Sequence, residues 1–332
     1  MKTIPALDGL RGIAILAVMS FHATLWFAQG GALGVDIFFV LSGWLITSLL
    51  IDEAARTGTI DHAAFLRRRT RRLLPALAVL LTAYVLLAPW LYPQSAERRW
   101  ADAATAFLYL TNIRQTVWPA DTPLSHTWSL AIEAQFYLLW PFVVPALLRI
   151  GRDKAALILL AAWLTLAAAR FALAGAIGGP AVYYASPLHA TGLILGAALA
   201  FRPIRVRRGS LALGALVAVM IGRSWGLFVL PAAEVLTVLI VADPPRLLEW
   251  RPLRFVGRVS YGMYLWHIPL LWIMPTRTPV QAAAFFAATI VAGWMSHTLV
   301  ERRFLSAQGE RRGADRSERT PARPPSLVGR FG

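Results

Sequence analysis

Two ionisable residues in the first apolar segment of the chain have the types and spacing that chemistry inside a membrane requires. The segment covers residues 7–28, and Arg11 and His22 stand eleven positions apart within it. On a helix this spacing puts both side chains on one face, roughly 20° apart and about 16 Å apart along the axis. A charge at the centre of a span costs about 2.5 to 3.5 kcal/mol, so such residues usually serve a function. In the alternative interpretation, Asp8 and Arg11 form a local i, i+3 pair and His22 only bonds a neighbouring helix.

Two acidic residues in later apolar segments are candidates to act with His22. Asp36 lies near the outer end of the second segment, and Glu133 lies on a stripe of the fourth with Ser129 and Tyr137, at i, i+4 and i+8. We expect His22, Asp36 and Glu133 to meet in the outer half of the membrane. An imidazole beside a carboxylate is suited to a general base or a proton relay. The alternative is that both carboxylates only neutralise buried arginines.

A third group of polar residues lies in a late apolar segment, residues 257–276. Ser260 and His267 are seven positions apart, which is two helical turns, and Tyr264 lies between them on the same face. We expect this face to contact a substrate. The alternative is that an aromatic residue and a histidine near a helix end serve as interfacial anchors.

A block of five arginines, RRRTRR at residues 67–72, directly precedes the third apolar segment. Clustered guanidiniums bind polyphosphates through bidentate hydrogen bonds, so the block predicts a phosphate clamp in which Arg11 converges with Arg69 or Arg72. The alternative is that the block only sets membrane topology. The sequence contains no cysteine and no motif typical of nucleotide hydrolysis, dinucleotide binding, or zinc or serine hydrolases, and we expect no metal site.

The elements that carry these residues are predicted to be membrane helices. The 332 residues are 57% hydrophobic and 15% charged, which is typical of a polytopic helical protein. Apolar windows predict an all-α fold with about ten spans, near residues 7–28, 33–51, 73–92, 127–148, 155–175, 187–202, 209–224, 226–243, 257–276 and 279–300. The net charge is +16, and the basic residues cluster between spans on one side of the membrane. This asymmetry predicts that both termini are cytoplasmic. It also accounts for the positive charge without nucleic acid as a partner.

The same asymmetry of charge divides the rest of the chain. Residues 98–112 are expected to form an interfacial or re-entrant helix on the outer side, because an eleventh span would reverse the sidedness of every later basic block. Residues 1–304 are predicted to form one membrane-embedded domain, and 305–332 a disordered, basic cytoplasmic tail that contacts anionic lipid. The first segment lacks a cleavage signature, and we expect it to be retained.

Five motifs, in this order, resemble the membrane-bound acyltransferase-3 family of O-antigen acetylase-like proteins. They are LDGLRGIAILAVMSFH, GALGVDIFFVLSGWLI, FLRRRTRRLLP, LSHTWSLAIEAQFYLLWP and VSYGMYLWHIPL, and the resemblance covers residues 5 to 304. The chain departs from the family at Ala134, where a second Glu is common, and at Arg303, where a Pro is common. The fused outer hydrolase-like domain of some members is not expected.

The resemblance implies an integral-membrane O-acyltransferase of the cytoplasmic membrane. Such an enzyme moves an acyl group, commonly acetyl, from cytosolic acyl-CoA to a hydroxyl of an envelope or exported glycan or of a small molecule; no cofactor stays bound. The implied roles form three groups: catalytic, His22, Arg11, Glu133 and Asp36; donor-binding, Arg69, Arg72, Arg68 and Arg11; substrate-binding, His267, Tyr264, Ser129 and Tyr137.

Two mechanisms and two other classes of function remain open at this point. His22 acts either as a general base on the acceptor hydroxyl, oriented by Glu133 or Asp36, or as a nucleophile that forms an acyl-imidazole. A proton-coupled transporter or flippase also needs charges inside spans, but it predicts an internal repeat that the sequence does not show. A catalytically silent scaffold would use the charged stripes as assembly contacts.

The acceptor is not identified by these motifs. Residues expected on the outer side are suited either to stacking on a sugar or to an interfacial aromatic belt: Trp118, Asp121, His126, Tyr183 and Tyr184.

Overall fold

The chain is helical wherever the structure describes it. The computed structural model describes residues 4–222 and 229–304, and within these ranges it contains α-helices, short 3₁₀ and π turns and no β-strand. This confirms the all-α prediction. The predicted tail, residues 305–332, and the predicted outer turn at 224–226 lie outside the described residues.

The α-helices of the described ranges are numbered in chain order. They are α1 Pro5–His22, α2 Gly34–Thr57, α3 His62–Leu91, α4 Arg99–Phe107, α5 Thr111–Val117, α6 Trp128–Arg149, α7 Arg152–Ile177, α8 Gly179–Tyr184, α9 Ser186–His189, α10 Thr191–Phe201, α11 Gly209–Ile221, α12 Leu230–Ala242, α13 Arg251–Ile273 and α14 Pro279–Met295.

Several of these helices are long and apolar enough to cross a membrane. With adjoining turns they are Gly31–Thr57, His62–Leu91, Ser125–Arg149, Arg152–Ile177 and Pro279–Phe304, and three shorter apolar helices, α10, α11 and α12, accompany them. The chain is therefore a multi-pass membrane protein. The helices α1 and α13, which carry Arg11, His22 and His267, do not belong to this set of five, and the count of ten spans and the sidedness stay predictions.

Two predicted boundaries next to the candidate site are wrong. The helix α1 ends at His22 rather than at residue 28, and the chain turns at Thr24, whose φ of 54° is incompatible with a continued helix. The helix α3 begins at His62, where the side chain of Asp61 caps it by accepting from the backbone N–H of Ala64 at 2.8 Å. The arginine block, residues 67–72, is consequently helical and does not lie in a loop before the third span.

The segment that was expected to stay on one side of the membrane forms two short helices. The helices α4 and α5 have 9 and 7 residues, too few to span hydrocarbon. The buried Asp102 of α4 holds them in place, because it pairs with Arg114 of α5 at 2.6 Å and accepts a hydrogen bond from Tyr84 of α3 at 2.9 Å. Their position at the outer surface stays a prediction.

The helix α1 is clamped between α2 and α13 by glycine contacts. A Cβ atom on Gly257 of α13 would collide with the carbonyl oxygen of Asp8, and one on Gly34 of α2 would collide with the carbonyl oxygen of Ala14. Helices in a membrane associate mainly by such close packing of small residues. These two contacts fix the rotation of α1, and therefore the directions of Arg11 and His22, relative to its neighbours.

Candidate active site

Four arginines from three helices line one cavity of about 530 Å³, which we call the arginine cavity. Arg11 comes from α1, and Arg69 and Arg72, three positions apart on one face of α3, come from the arginine block. Arg258 comes from α13. The guanidinium of Arg69 lies over the ring of Phe65, 5.7 Å from its centroid. The predicted convergence of Arg11 with the arginine block is confirmed, and the cavity wall offers cations to a polyanion.

Arg68 does not appear in the wall of the arginine cavity, although it was predicted to bind the donor together with Arg69 and Arg72. Its guanidinium forms an ion pair with Glu53 near the end of α2, at 2.8 Å. Around α3, Arg72 lies between its two neighbours, roughly 40° from Arg68 and roughly 60° from Arg69. The spacing alone therefore does not exclude Arg68 from the cavity, and its pairing with Glu53 does.

The predicted stripe of α6 is confirmed, since Ser129, Glu133 and Tyr137 all line the arginine cavity. The hydroxyl groups of Tyr137 and Ser42 are hydrogen-bonded at 2.5 Å, and Glu133 interacts with both hydroxyls. The charged neighbours of Glu133 are Arg72 and Arg11. The expectation that Glu133 stands beside His22 is therefore wrong, and its geometry matches the alternative in which it balances buried arginines.

Further carboxylates line the arginine cavity. Asp8 pairs with Arg11 at 3.4 Å, as the local i, i+3 interpretation predicted. A π-helical turn, Ser296–Glu301, adds His297 and Glu301, whose side chains are 3.3 Å apart. Sequence reasoning missed this pair, because the residue types give no signal that the last helix widens to a π turn at this point.

His22 lines a second cavity of about 420 Å³, which we call the histidine cavity. Its wall is rich in rings, namely Phe21, His22, His126, Trp128, Tyr183, Tyr184 and Tyr264. Burial raises the pKa of Tyr183 and of Tyr184 above the ordinary tyrosine value, so both phenols keep their proton. Of the outer-side residues considered from the sequence, Trp118 and Asp121 are exposed and do not appear in this wall.

Three histidines from different helices or turns meet beside the histidine cavity. The ring centroid of His267 lies 5.1 Å from that of His22 and 5.1 Å from that of His126. The approach of His22 and His267 follows the predicted faces of α1 and α13. The addition of His126, from the turn before α6, was not predicted, since nothing in the sequence relates it to residue 267.

Backbone carbonyls select the tautomer of the two helical histidines. Nδ1 of His22 lies 2.9 Å from the carbonyl oxygen of Val18, and Nδ1 of His267 lies 2.6 Å from that of Tyr264. A carbonyl oxygen can only accept, so Nδ1 carries the proton in each ring and Nε2 keeps its lone pair. His22 therefore presents a basic nitrogen without a carboxylate behind it.

Asp36 was expected next to His22, and this is wrong. Its carboxylate is fully buried and lies 3.4 Å from Nε2 of His189, at the end of α9. His189 also donates from Nδ1 to the carbonyl oxygen of Tyr183 at 2.7 Å, and its ring contacts Trp128. The Asp36–His189 pair thus lies behind the aromatic wall of the histidine cavity.

Sequence reasoning also missed a buried polar network next to this pair. Glu234 accepts hydrogen bonds from Trp163 at 2.5 Å and from Thr191 at 2.6 Å, and Arg170 donates to Thr191 at 3.2 Å. Arg170, an arginine within an apolar segment, was the available sign of this network in the sequence. Its partners Leu188, Thr191 and Glu234 come from three other helices, so their approach could not be predicted from spacing.

The two cavities adjoin. Val35 and Tyr264 line both of them. Arg11 and His22 of α1 therefore lie in neighbouring cavities, Arg11 in the wall of one and His22 in the wall of the other. The Tyr264 hydroxyl is 2.5 Å from that of Ser129 and donates to the carbonyl oxygen of His126 at 2.8 Å. Of the predicted substrate-binding residues, Ser129, Tyr137 and Tyr264 line a cavity, and His267 contacts His22 instead.

A cavity lined by clustered arginines that adjoins a basic imidazole, in a chain of long apolar helices, is suited to a membrane-embedded group-transfer enzyme. Residues 4–297 match the acyltransferase-3 family, an acyltransferase domain. The chain belongs to this family.

Curated relatives agree with this assignment. The chain is 30% identical to the peptidoglycan O-acetyltransferase OatA of Listeria monocytogenes, over 90% of this chain and 55% of the relative. It is 34% identical to the putative peptidoglycan O-acetyltransferase YrhL of Bacillus subtilis, over 84% and 50%, and 33% identical to the O-acetyltransferase OatA of Staphylococcus aureus, over 81% and 51%. The chain thus spans about half the length of these relatives. No solved structure matches it.

Proposed function

We propose that the chain is an O-acyltransferase of the cytoplasmic membrane that transfers an acyl group, commonly acetyl, from acyl-CoA to a hydroxyl of an envelope or exported glycan. The observation that carries this proposal is that the two cavities adjoin, with four arginines in the wall of one and a basic histidine in the wall of the other. A donor with a charged end and a reactive end some distance away suits this arrangement.

The arginine cavity suits the phosphate groups of CoA. Arg11, Arg69 and Arg72 provide planar donors that form paired hydrogen bonds with phosphate oxygens. Arg11 and His22 are separated by about 16 Å along α1, which an extended pantetheine arm spans. The thioester then lies where the cavities meet.

His22 is the proposed general base. Its Nε2 takes the proton of the acceptor hydroxyl as that oxygen attacks the thioester carbon; the carbon–sulfur bond breaks, and the departing thiolate takes up a proton to give free CoA. The carbonyl oxygen of Val18, rather than the carboxylate of Glu133 or Asp36, orients the ring. The competing step, attack of Nε2 on the thioester, gives an acyl-imidazole and the same products after a second transfer.

The histidine cavity is the proposed acceptor site. Aromatic rings such as Trp128, Tyr183 and Tyr184 stack on sugar faces, and protonated phenols bond sugar hydroxyls. The names of the curated relatives favour a glycan of the peptidoglycan type. A small-molecule hydroxyl would use the same base and the same donor.

The experiment is transfer of radiolabelled acetyl from acetyl-CoA to envelope glycan or extractable small molecules by membranes that contain the chain. His22→Ala and Arg11→Ala should abolish labelling. His62→Ala is the matched histidine control, because that ring bonds the carbonyl oxygen of Pro141 and does not appear in either cavity wall. Arg68→Ala is the matched arginine control.

Labelling that persists in both site variants, at equal membrane insertion, would exclude this site. If no acyl-CoA gives label with the wild-type chain, the transporter alternative would be favoured. Label on the wild-type protein itself that is labile to acid and to hydroxylamine, and that is lost in His22→Ala, would select the acyl-imidazole mechanism.

A further inference from the structure

We propose that Val35 and Tyr264 form a passage of fixed width that selects acyl groups by their branching next to the carbonyl carbon. This inference rests on the proposed function. Val35 and Tyr264 line both cavities and thus mark the boundary between them. In the proposal, a thioester that reaches from the arginine cavity to His22 passes between these two side chains.

Val35 has little freedom to move. It follows Gly34 at the start of α2, where a Cβ atom would collide with the carbonyl oxygen of Ala14 and crowd the side chain of Val18. Gly31, one turn earlier, is pressed against Ala17 in the same way. A β-branched side chain on a helix has one strongly preferred rotamer, so both methyl groups of Val35 stay where they are.

Tyr264 is held from three sides. Its hydroxyl is bound by Ser129 and donates to the carbonyl oxygen of His126, and its ring contacts the rings of His126 and His267, with centroids 5.5 Å and 5.2 Å away. A rotation of the ring would break both hydrogen bonds. The width between the two residues is consequently set by the packing of α1, α2, α6 and α13.

A passage of fixed width discriminates by cross-section rather than by length. A linear acyl chain is no wider at any carbon than the cysteamine end of pantetheine, which must fit in any case. When the thioester carbon reaches His22, the carbon next to the carbonyl lies between Val35 and Tyr264. A methyl branch on that carbon widens the acyl group at this point. Butyryl and isobutyryl groups have the same number of carbons, so comparing them separates width from length.

The experiment measures kcat/KM for acetyl-, butyryl- and isobutyryl-CoA with the wild-type chain and its variants in membranes. In a hydrophobic pocket one misplaced carbon changes kcat/KM roughly 10- to 200-fold, and we expect the wild-type chain to favour butyryl over isobutyryl by a factor in this range. Val35→Ala removes two methyl groups from the wall and should bring the ratio to within a few-fold. Val35→Ile adds one carbon and should lower transfer of every acyl group, acetyl least.

Val40→Ala is the matched control. Val40 is also buried, lies five positions further along α2 and does not appear in the wall of either cavity, so its truncation should keep the wild-type ratio. A wild-type chain without preference between the isomers, or a ratio that is the same in Val35→Ala as in the wild type, would overturn the inference.

Acetyl transfer separates this inference from the proposed function. If the wild-type chain transfers acetyl but neither butyryl nor isobutyryl, the limit is on length rather than on width, and the inference is overturned. If the wild-type chain transfers no acyl group from CoA, the proposed function itself fails. Active acetyl transfer with unchanged selectivity in Val35→Ala rejects the passage alone.

Discussion

Replacing Arg69 by Gln should raise the KM for acyl-CoA roughly 10- to 150-fold and leave kcat nearly unchanged. The side chain faces the arginine cavity, and among the described residues its Nε has no hydrogen-bond partner, so it is free to bind an anion. A hydrogen bond to a charged group contributes about 1.5–3 kcal/mol, which corresponds to this range of KM. A contact to a phosphate far from the reacting carbon stabilises ground state and transition state equally, and such a loss appears in KM.

The adjacent residue provides the control. Arg68→Gln removes the same charge from the same helix, but Arg68 pairs with Glu53, and the two side chains are 28% and 17% exposed. Partly exposed pairs contribute about 0.2–1 kcal/mol to stability, so the variant should fold and keep a KM within a few-fold of the wild type. Arg69→Lys keeps the charge but loses the planar pair of donors, and its KM should lie between those of the wild type and Arg69→Gln.

The assay is the initial rate of acyl transfer as a function of acyl-CoA concentration, with free CoA as a competitive inhibitor. The inhibition constant of CoA should rise in parallel with KM, because both depend on the phosphate contacts. The reasoning is refuted if Arg68→Gln raises KM as much as Arg69→Gln does, or if Arg69→Gln lowers kcat while KM stays at the wild-type value.

Three further predictions follow from the packing around the site. Gly257→Ala should destabilise the protein by roughly 1–3 kcal/mol, because the new Cβ meets the backbone of α1. The control Gly214→Ala places its Cβ in open space and should be neutral or slightly stabilising. Thermal unfolding in detergent measures both variants, and equal stability of the two would contradict the α1–α13 contact. Asp36→Asn and His189→Gln should be coupled by about 0.5–3 kcal/mol in a double-mutant cycle of the same measurement, and additive effects would mean that the pair does not interact. His267→Phe keeps the ring packing against His22 but removes both ring nitrogens. If His267 relays protons for His22, kcat should fall by roughly 10²- to 10⁴-fold while the KM for the donor stays unchanged. An unaltered kcat would assign His267 to packing only.

Periodicity within a helix could be predicted because it is local. The stripe of Ser129, Glu133 and Tyr137 on α6 and the face of Tyr264 and His267 on α13 follow from residue spacing, and both lie where that spacing put them. The arginine block was recognised as a cation cluster for the same reason. Which of its members face the cavity depends on how α3 is rotated against its neighbours, and the spacing within the block does not give that rotation.

The errors concern partners across helices. Asp36 was assigned to His22 but pairs with His189, and Glu133 was assigned to His22 but faces Arg11 and Arg72. Residues at similar predicted depths are equivalent in a sequence-based argument, because depth fixes the height of a side chain and says nothing of the direction in which its helix is turned.

Residue types and spacing thus settled the helical membrane class, the family and the two residues of α1 around which the site is built. The partners of those residues were settled only when the helices packed. The rotation of each helix about its axis is fixed by contacts between distant positions, such as Gly257 against Asp8 and Gly34 against Ala14. Those contacts place Glu133 with the arginines, Asp36 with His189, and the two cavities side by side. Sequence alone could not show this, because the energy of close packing belongs to pairs of surfaces and not to any one segment of the chain.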